Sequence, residues 1–171
     1  MKISKTKLDK VLKIELESFE DHRGYYLETY NEKLYMENGI DINFVQDDIS
    51  VSFQNVLRGI HGDQETWKLV SCFRGEFYLV VVNNDESSNQ YKNWESFILS
   101  DKNNTQILIP PKFGNGHLVL SKKSIFNYKQ STYYNPKGQF TILWNDPEYG
   151  IDWPINNPIL SKRDTIGNFV E

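Results

Sequence analysis

The chain has 171 residues and a formal net charge of −4, with a pI near 5.4, which argues against a binder of nucleic acid or other polyanions. This length suits one domain with a single core, and no linker or repeat divides residues 1–171. The single cysteine, Cys72, cannot form an internal disulfide. No apolar run approaches the roughly 20 residues of a membrane span, and the N-terminus lacks a signal-peptide core, so we expect a cytoplasmic protein.

Short alternating or apolar runs, separated by turn signals, follow one another along the chain. Turn residues cluster at 83–88, 101–104 and 135–138. Regular spacing of this kind is typical of an antiparallel β-sandwich or barrel. One helix is predicted at residues 32–38, closed by Gly39. The predicted strands, in chain order, are 11–16, 24–30, 44–53, 68–73, 76–82, 94–99, 106–109, 117–120, 125–129 and 139–144.

One segment combines strand-like sequence with side chains that can do chemistry. Residues 56–61 read Val-Leu-Arg-Gly-Ile-His, and Lys68 opens the next apolar run. A buried histidine such as His61 can take a proton near neutral pH, and a nearby lysine can hold the negative charge that results. Arg58 carries a guanidinium suited to clamping a phosphate beside the same site. The competing interpretation is a core histidine, with the lysine and the arginine on a solvated face.

Six further segments accompany this one along the chain. Phe-Glu-Asp-His-Arg-Gly begins at residue 19, Phe-Val-Gln-Asp-Asp at 44, Pro-Pro-Lys-Phe-Gly-Asn-Gly-His at 110, Trp-Asn-Asp-Pro at 144, Ile-Asp-Trp-Pro at 151 and Leu-Ser-Lys-Arg-Asp at 160. In order and spacing they resemble the dTDP-4-keto-6-deoxyglucose 3,5-epimerase family, the RmlC-type cupins, over roughly residues 10 to 165. The resemblance implies an all-β cupin jelly roll with a few short helices, assembled as a homodimer.

Two segments look still closer to one branch of that family. Gly-Ile-His-Gly-Asp-Gln-Glu-Thr-Trp-Lys at 59–68 and Phe-Gly-Asn-Gly-His at 113–117 are similar to a branch that acts on GDP-4-keto-heptoses in bacterial capsule synthesis. We therefore expect an epimerase of a nucleotide-linked 4-keto sugar, with GDP-4-keto-heptose as the favoured substrate. The alternatives are a dTDP-4-keto-6-deoxyhexose 3,5-epimerase and a sugar-nucleotide 3,4-ketoisomerase.

The chemistry of such an epimerase requires a base, an acid and support for an oxyanion. The hydrogens on C3 and C5 flank the carbonyl of a 4-keto sugar, so removing either gives a delocalised enolate. By resemblance, His61 matches the base and Asp164 the carboxylate that orients it. Tyr128 matches the proton donor on the opposite face of the sugar, and Lys68 lies near the enolate oxygen. No metal and no organic cofactor is expected, because hydrogen-bond donors and a cation can stabilise an enolate.

The resemblance also implies a set of binding residues. Guanidinium groups suit a diphosphate, polar side chains line the sugar or nucleotide, and an aromatic ring stacks on the base. Two residues of this set, Tyr26 and Glu28, are expected to reach over from the other subunit of the homodimer. The set comprises Arg23 and Arg58 for the diphosphate, Glu28, Gln46 and Asp48 for the polar lining, Tyr26 beside Glu28, and Tyr133 for the base.

One departure from the family pattern concerns residues 111–117. The family reads Pro-x-Gly-Phe-Ala-His-Gly-Phe there, so Asn115 stands at the second histidine position and His117 at an aromatic position. Residues two apart on a strand share a face, so either can meet the substrate. We favour Asn115 as a neutral hydrogen-bond donor. The change bears on whether both C3 and C5 are inverted, and it points away from a dTDP-6-deoxyhexose.

Three other function classes fit the sequence less well. A metal-dependent cupin would show His-x-His with a later histidine, whereas His61 precedes Gly-Asp and the later position is Asn115. The 3,4-ketoisomerases lack the Trp-Asn-Asp and Ile-x-Trp-Pro segments that this chain has near its C-terminus. A non-catalytic sugar-nucleotide binder would be expected to lose His61, Tyr128 or Lys68, and all three are present.

Overall fold

The computed structural model describes residues 1–167, so the predicted domain 1–171 extends past the described part and stays a prediction. Within residues 1–167 most of the regular structure is β-strand, with two short α-helices and one 3-10 turn. The elements are β1 (Lys2–Lys5), β2 (Leu12–Glu15), β3 (Ser18–Asp21), β4 (Gly24–Leu27), α1 (Glu32–Glu37), β5 (Gln46–Phe53), β6 (Leu57–Gly62), β7 (Lys68–Arg74), β8 (Glu76–Asn83), β9 (Trp94–Ser100), β10 (Thr105–Ile109), β11 (Phe113–Val119), β12 (Lys123–Gln130), the 3-10 turn Pro136–Gly138, β13 (Phe140–Thr141) and α2 (Lys162–Ile166).

Two antiparallel sheets share one core. The first has the order β1-β2-β10-β7-β12-β5 and the second β13-β6-β11-β8-β9. Val70 on β7 and Phe126 on β12 belong to the first sheet, and they are buried in one cluster with Phe77 and Leu79 on β8 of the second. Apolar side chains alternate toward this shared interior, as expected for packed sheets. The all-β prediction is confirmed.

Strand β11 differs from its predicted extent. The sequence placed a strand at 117–120, but β11 begins at Phe113 and includes Gly114 and Gly116. These glycines are needed for close packing, because an added Cβ would lie 2.6 Å from Ile60 Cγ2 at Gly114 and 3.0 Å from the Arg58 carbonyl oxygen at Gly116. At the edge of the same sheet, the predicted strand 139–144 is reduced to the two residues of β13.

A β-bulge between β6 and β11 determines which side chains face the interior. Asn115 pairs with His61 and His117 pairs with Arg58, so two residues of β6 stand opposite Gly116 alone. In a regular strand, side chains three positions apart point to opposite faces. The extra residue in β6 instead brings Arg58 and His61 to the same face, which is the face that carries the site described below.

Strands β3 and β4 form a separate two-stranded sheet with exposed aromatic side chains. Phe19 on β3 and Tyr25 and Tyr26 on β4 are all more than half exposed. Large exposed apolar groups of this kind often mark an interaction surface. Among residues 1–167, no helix has the length and apolar character needed to cross a membrane. The cytoplasmic location stays a prediction.

Candidate active site

A cavity of about 470 Å³ lies among strands of both sheets and the start of α2. All four predicted catalytic residues line it, together with five of the predicted binding residues. The structure therefore brings together side chains that lie far apart in the sequence. The lining consists of Gln46, Asp48, Ile49, Ser50, Arg58, His61, Lys68, Asn115, His117, Phe126, Tyr128, Gln130, Tyr134, Gln139, Ser161, Arg163 and Asp164.

His61 and Asp164 form a close hydrogen-bonded pair at one wall of the cavity. His61 Nε2 lies 2.6 Å from Asp164 Oδ1, and the carboxylate is almost completely buried. A carboxylate can only accept a hydrogen bond, so Nε2 of the neutral ring carries the proton. The other ring nitrogen, Nδ1, is then the basic atom. The structure thus brings together the two residues that the sequence predicted as base and orienting carboxylate, and their roles stay a prediction.

Helix α2 holds the Asp164 carboxylate in place from its first turn. Ser161 is the N-cap: its Oγ accepts from the Asp164 backbone N–H at 3.1 Å and donates to Asp164 Oδ2 at 2.8 Å. Burial alone would raise the pKa of Asp164, but the hydrogen bond and charge of His61 and the hydrogen bond of Ser161 outweigh it. The pKa of Asp164 therefore lies below its ordinary value, and the group is an anion at neutral pH.

Lys68 places a cation in the cavity from β7. The side chain is buried, and its Nζ lies 3.8 Å from Asp63 Oδ2. Burial lowers the pKa of Lys68, and the charge of Arg163 acts in the same direction, while Asp63 opposes both. A charged ammonium in a buried site interacts strongly with a developing oxyanion, because little water screens it.

Tyr128 reaches the same cavity from the sheet opposite His61. It stands on β12 of the first sheet, whereas His61 stands on β6 of the second. Burial, and then the nearby groups Asp48 and Tyr134, raise the pKa of Tyr128 to about 12. The phenol is protonated at neutral pH and can therefore serve as a proton donor.

Asn115 and His117 both line the cavity but differ in exposure. Asn115 is half-buried, whereas His117 is only 3% exposed and stacks on Phe126, with ring centroids 4.2 Å apart. Burial, followed by the charges of Arg58 and His61, lowers the pKa of His117 to about 3. His117 is therefore neutral. Its position suits a residue that shapes the wall of the cavity. That Asn115 is the polar contact to the substrate stays a prediction.

Hydrogen bonds fix the polar side of the cavity. Gln46 Nε2 and Gln130 Nε2 donate to Asp48 Oδ2 at 2.7 and 3.0 Å. Arg58 Nε donates to Ser52 Oγ at 2.8 Å, while the residue as a whole stays exposed. The guanidinium is therefore anchored at one nitrogen, with the rest of the group available to an anion.

Four predicted binding residues do not line the cavity of their own chain. Arg23 and Tyr26 lie on the β3–β4 hairpin, where Arg23 Nη2 pairs with Asp21 Oδ2 at 2.6 Å. Glu28 follows the hairpin and does not line the cavity; its Oε1 accepts a hydrogen bond from Asn31 Nδ2 at 3.1 Å. Tyr133 is 75% exposed, and its neighbour Tyr134 lines the cavity instead.

Tyr134 lines the cavity and Tyr133 does not, and the role of Tyr133 at the base stays a prediction. Gln46 Oε1 accepts from the Tyr134 backbone N–H at 2.8 Å, which holds this turn against β5. The sequence also left out Ser161 and Arg163, which line the cavity. Both precede Asp164 in the segment Leu-Ser-Lys-Arg-Asp, and adjacent charged residues of this kind are typical of a solvated surface. The N-cap pattern of a serine before a short helix was the missed signal.

The usual metal-binding side chains do not cluster within residues 1–167. No group of three or more His, Cys, Asp or Glu side chains in this range is placed to hold a metal ion. His61 uses Nε2 for Asp164, and the second histidine position is occupied by Asn115.

A family model for dTDP-4-dehydrorhamnose 3,5-epimerase matches residues 5–171 of the chain. The chain belongs to this family. The dTDP-4-dehydrorhamnose 3,5-epimerase of Methanothermobacter thermautotrophicus is 42% identical over 165 residues, which cover 94% of this chain and 89% of that protein. The chain is thus an enzyme of the isomerase class, an epimerase of a nucleotide-linked 4-keto sugar.

Solved structures of two epimerases superimpose closely on this one. The dTDP-6-deoxy-D-glucose-3,5-epimerase of Legionella pneumophila, in complex with dTDP-4-keto-L-rhamnose, has a TM-score of 0.91 and 39% identity, covering 95% of this chain and 89% of that one. The dTDP-4-dehydrorhamnose 3,5-epimerase of Bacillus anthracis, with TDP and PPi bound, has a TM-score of 0.94 and 34% identity, covering 99% of both chains. The cupin jelly roll implied by the resemblance is confirmed.

These similarities do not support the expected closeness to the GDP-heptose branch. The family and the three relatives described above are all named for dTDP-linked sugars. The segments at 59–68 and 113–117 that suggested GDP-4-keto-heptose are short, whereas the family match runs over nearly the whole chain. The alternative, a dTDP-4-keto-6-deoxyhexose, fits the comparisons better than the favoured substrate did.

Proposed function

We propose that this epimerase inverts C3 and C5 of a dTDP-linked 4-keto-6-deoxyhexose. The observation that carries the proposal is the pairing of His61 with Asp164 in a cavity that Tyr128 enters from the opposite sheet. A base and a proton donor on opposite sides of one sugar ring invert a centre, whereas a single acid–base group returns the proton to the face it came from. The dTDP-linked sugars named for the relatives support this choice of substrate.

The proposed reaction has two proton transfers at each carbon. His61 Nδ1 takes the proton from the carbon next to the carbonyl, and the electron pair of the C–H bond moves into the carbonyl to give an enolate. Lys68 stabilises the negative oxygen, and Asp164 stabilises the imidazolium that forms on His61. Tyr128 then gives its hydroxyl proton to the opposite face of the carbon, and the carbonyl re-forms. Exchange with solvent returns a proton to Tyr128 and removes one from His61.

We also propose that the active site is completed by a second copy of the chain. Arg23, Tyr26 and Glu28 lie on or beside the exposed β3–β4 hairpin, away from their own cavity. Their family roles at the diphosphate, sugar or nucleotide are therefore available only if the hairpin of a partner reaches this cavity. A homodimer accounts for both the exposed aromatic side chains and the distant binding residues. Sedimentation equilibrium tests it, and a monomer that is fully active would contradict it.

The substrate is tested by incubating the enzyme in heavy water with dTDP-4-keto-6-deoxyglucose and, in parallel, with GDP-4-keto-heptose. Mass spectrometry and NMR then locate deuterium at C3 and C5. The proposal predicts incorporation at both carbons of the dTDP sugar, with inverted configuration. Turnover of the GDP sugar alone would overturn the nucleotide assignment, and deuterium at C3 alone would restrict the reaction to one centre. Movement of the carbonyl to C3 would indicate a ketoisomerase.

A further inference from the structure

We propose that Asp63 is a positioning residue of this enzyme, whose carboxylate keeps the Lys68 amine charged within the cavity. The inference rests on the proposed role of Lys68 as the cation beside the enolate oxygen. Asp63 follows β6 in a loop for which the sequence predicted no site residue, and it does not line the cavity itself. Its Oδ2 lies 3.8 Å from Lys68 Nζ, the amine that the cavity contains.

Three hydrogen bonds hold the Asp63 carboxylate, two from its own loop and one from Gln139. Oδ1 accepts from the backbone N–H groups of Glu65 and Thr66 at 3.0 and 2.7 Å, and Oδ2 accepts from Gln139 Nε2 at 3.0 Å. The residue is 8% exposed. Burial would raise the pKa of Asp63, but its hydrogen bonds and the charge of Lys68 reverse the direction. A negative charge is thereby fixed in a place with little water.

Lys68 needs such a partner because its surroundings disfavour the ammonium form. The side chain is buried, and Arg163 on α2 brings a second positive charge that lowers the pKa of Lys68 further. The other carboxylates around the cavity are committed elsewhere: Asp164 pairs with His61, and Asp48 accepts from two glutamines. Arg58, on β6, is held by Ser52 and adds positive charge to the cavity.

The spacing of the pair leaves the ammonium free to act. Lys68 Nζ and Asp63 Oδ2 are 3.8 Å apart, beyond hydrogen-bond distance, so the N–H groups are not committed to this carboxylate. At this separation the attraction between the charges remains large in a partly buried site. Asp63 thus sets the charge of Lys68 while its donors remain available to the substrate oxygen.

The test is Asp63→Asn, which removes the charge and keeps the acceptor for the Glu65 and Thr66 N–H groups. Without the carboxylate, the pKa of Lys68 falls. The high-pH limb of the rate profile should therefore move to lower pH by about one to two units. The rate of C3 and C5 exchange against pH measures this. The matched control is Asp85→Asn, since Asp85 pairs with Lys112 at 3.1 Å away from the cavity. The control profile is expected to match the wild type.

A second readout does not depend on activity. In protein carrying ¹³C,¹⁵N-lysine, the Lys68 side-chain signal is identified by its loss in Lys68→Met and titrated by NMR. A downward shift of its titration in Asp63→Asn supports the inference, and an unchanged titration overturns it. If the wild type exchanges neither sugar, the proposed function fails while this titration still decides the role of Asp63.

If Asp63→Asn folds poorly, measurements of the free energy of unfolding still test the inference. If the cause is an unpaired buried ammonium, Asp63→Asn should destabilise the wild type much more than it destabilises Lys68→Met. Equal effects in both backgrounds would mean that Asp63 only caps its loop, and the inference would be wrong.

Discussion

The imidazole of His117 lies flat on the ring of Phe126, with centroids 4.2 Å apart and 10° between the planes. The two residues belong to opposite sheets, so the stack joins β11 to β12 across the core beside the cavity. His117 Nε2 has no hydrogen-bond partner within the described residues. A charged imidazolium would be poorly solvated here, which explains why burial lowers the pKa of His117 to about 3.

The first prediction concerns stability at acid pH. Below the ordinary histidine pKa of 6.5 the unfolded chain binds a proton at His117, whereas the folded state does not until about pH 3. The free energy of unfolding therefore falls as the pH is lowered through this window, by about 2 kcal/mol between pH 6.5 and 5 from this residue. His117→Phe should remove that part of the acid sensitivity. Urea unfolding at both pH values measures it.

The control for this comparison is His22→Asn, which changes an exposed histidine on the β3–β4 turn. It should keep the acid sensitivity of the wild type. A His117→Phe protein that loses as much stability as the wild type between pH 6.5 and 5 would show that His117 is protonated in the folded state.

The second prediction is that His61→Asn stops solvent exchange at both carbons next to the ketone. Asparagine keeps a polar side chain near Asp164 but has no basic nitrogen. Loss of the base should lower the rate on the order of 100- to 10,000-fold. Deuterium uptake followed by NMR measures it, with a urea unfolding curve to establish that the variant is folded. Exchange near the wild-type rate would assign the base elsewhere.

The third prediction uses the serine that caps α2. Ser161→Ala removes the hydrogen bond to Asp164 Oδ2 and the cap, so stability should fall by about 1 kcal/mol. The pKa of Asp164 should rise, because a hydrogen bond that lowers it is gone. The low-pH limb of the rate profile should therefore move to higher pH. Ser161→Thr keeps the hydroxyl and should restore both properties. A stability loss without a shifted profile would limit Ser161 to helix capping.

Most strands could be predicted from the sequence: apolar and polar residues alternate along β5, and β8 is a nearly continuous apolar run. The bulge in β6 could not be predicted from the sequence, because it depends on contact with Gly116 across the sheet. The glycines of β11 lie outside the predicted strand 117–120, although they belong to β11 and serve close packing. The role of a residue is hardest to predict from the sequence when it depends on a partner far along the chain. Asp63 is such a residue, since Gln139 is its distant partner.

The fourth prediction is that activity survives exhaustive chelation without added cofactor. His61 commits Nε2 to Asp164, and the second histidine position is Asn115, so the donor set of a metal cupin is incomplete. The rate should be the same before and after treatment with a chelator, with metal content followed by elemental analysis. If the protein holds a stoichiometric metal whose removal stops turnover, the chain would be a metal-dependent cupin and this prediction would be wrong.

The last prediction separates the acid from the base through Tyr128. Tyr128→Phe keeps the ring that packs against Phe126 and removes only the hydroxyl, so the fold should be nearly unaffected. His61 can still form the enolate and return a solvent-derived proton to its own face. In heavy water the variant should therefore incorporate deuterium with retained configuration, while inverted product falls far more than exchange does. NMR coupling constants distinguish the two products. If exchange and inversion fall by the same factor, Tyr128 positions the substrate and another group delivers the proton.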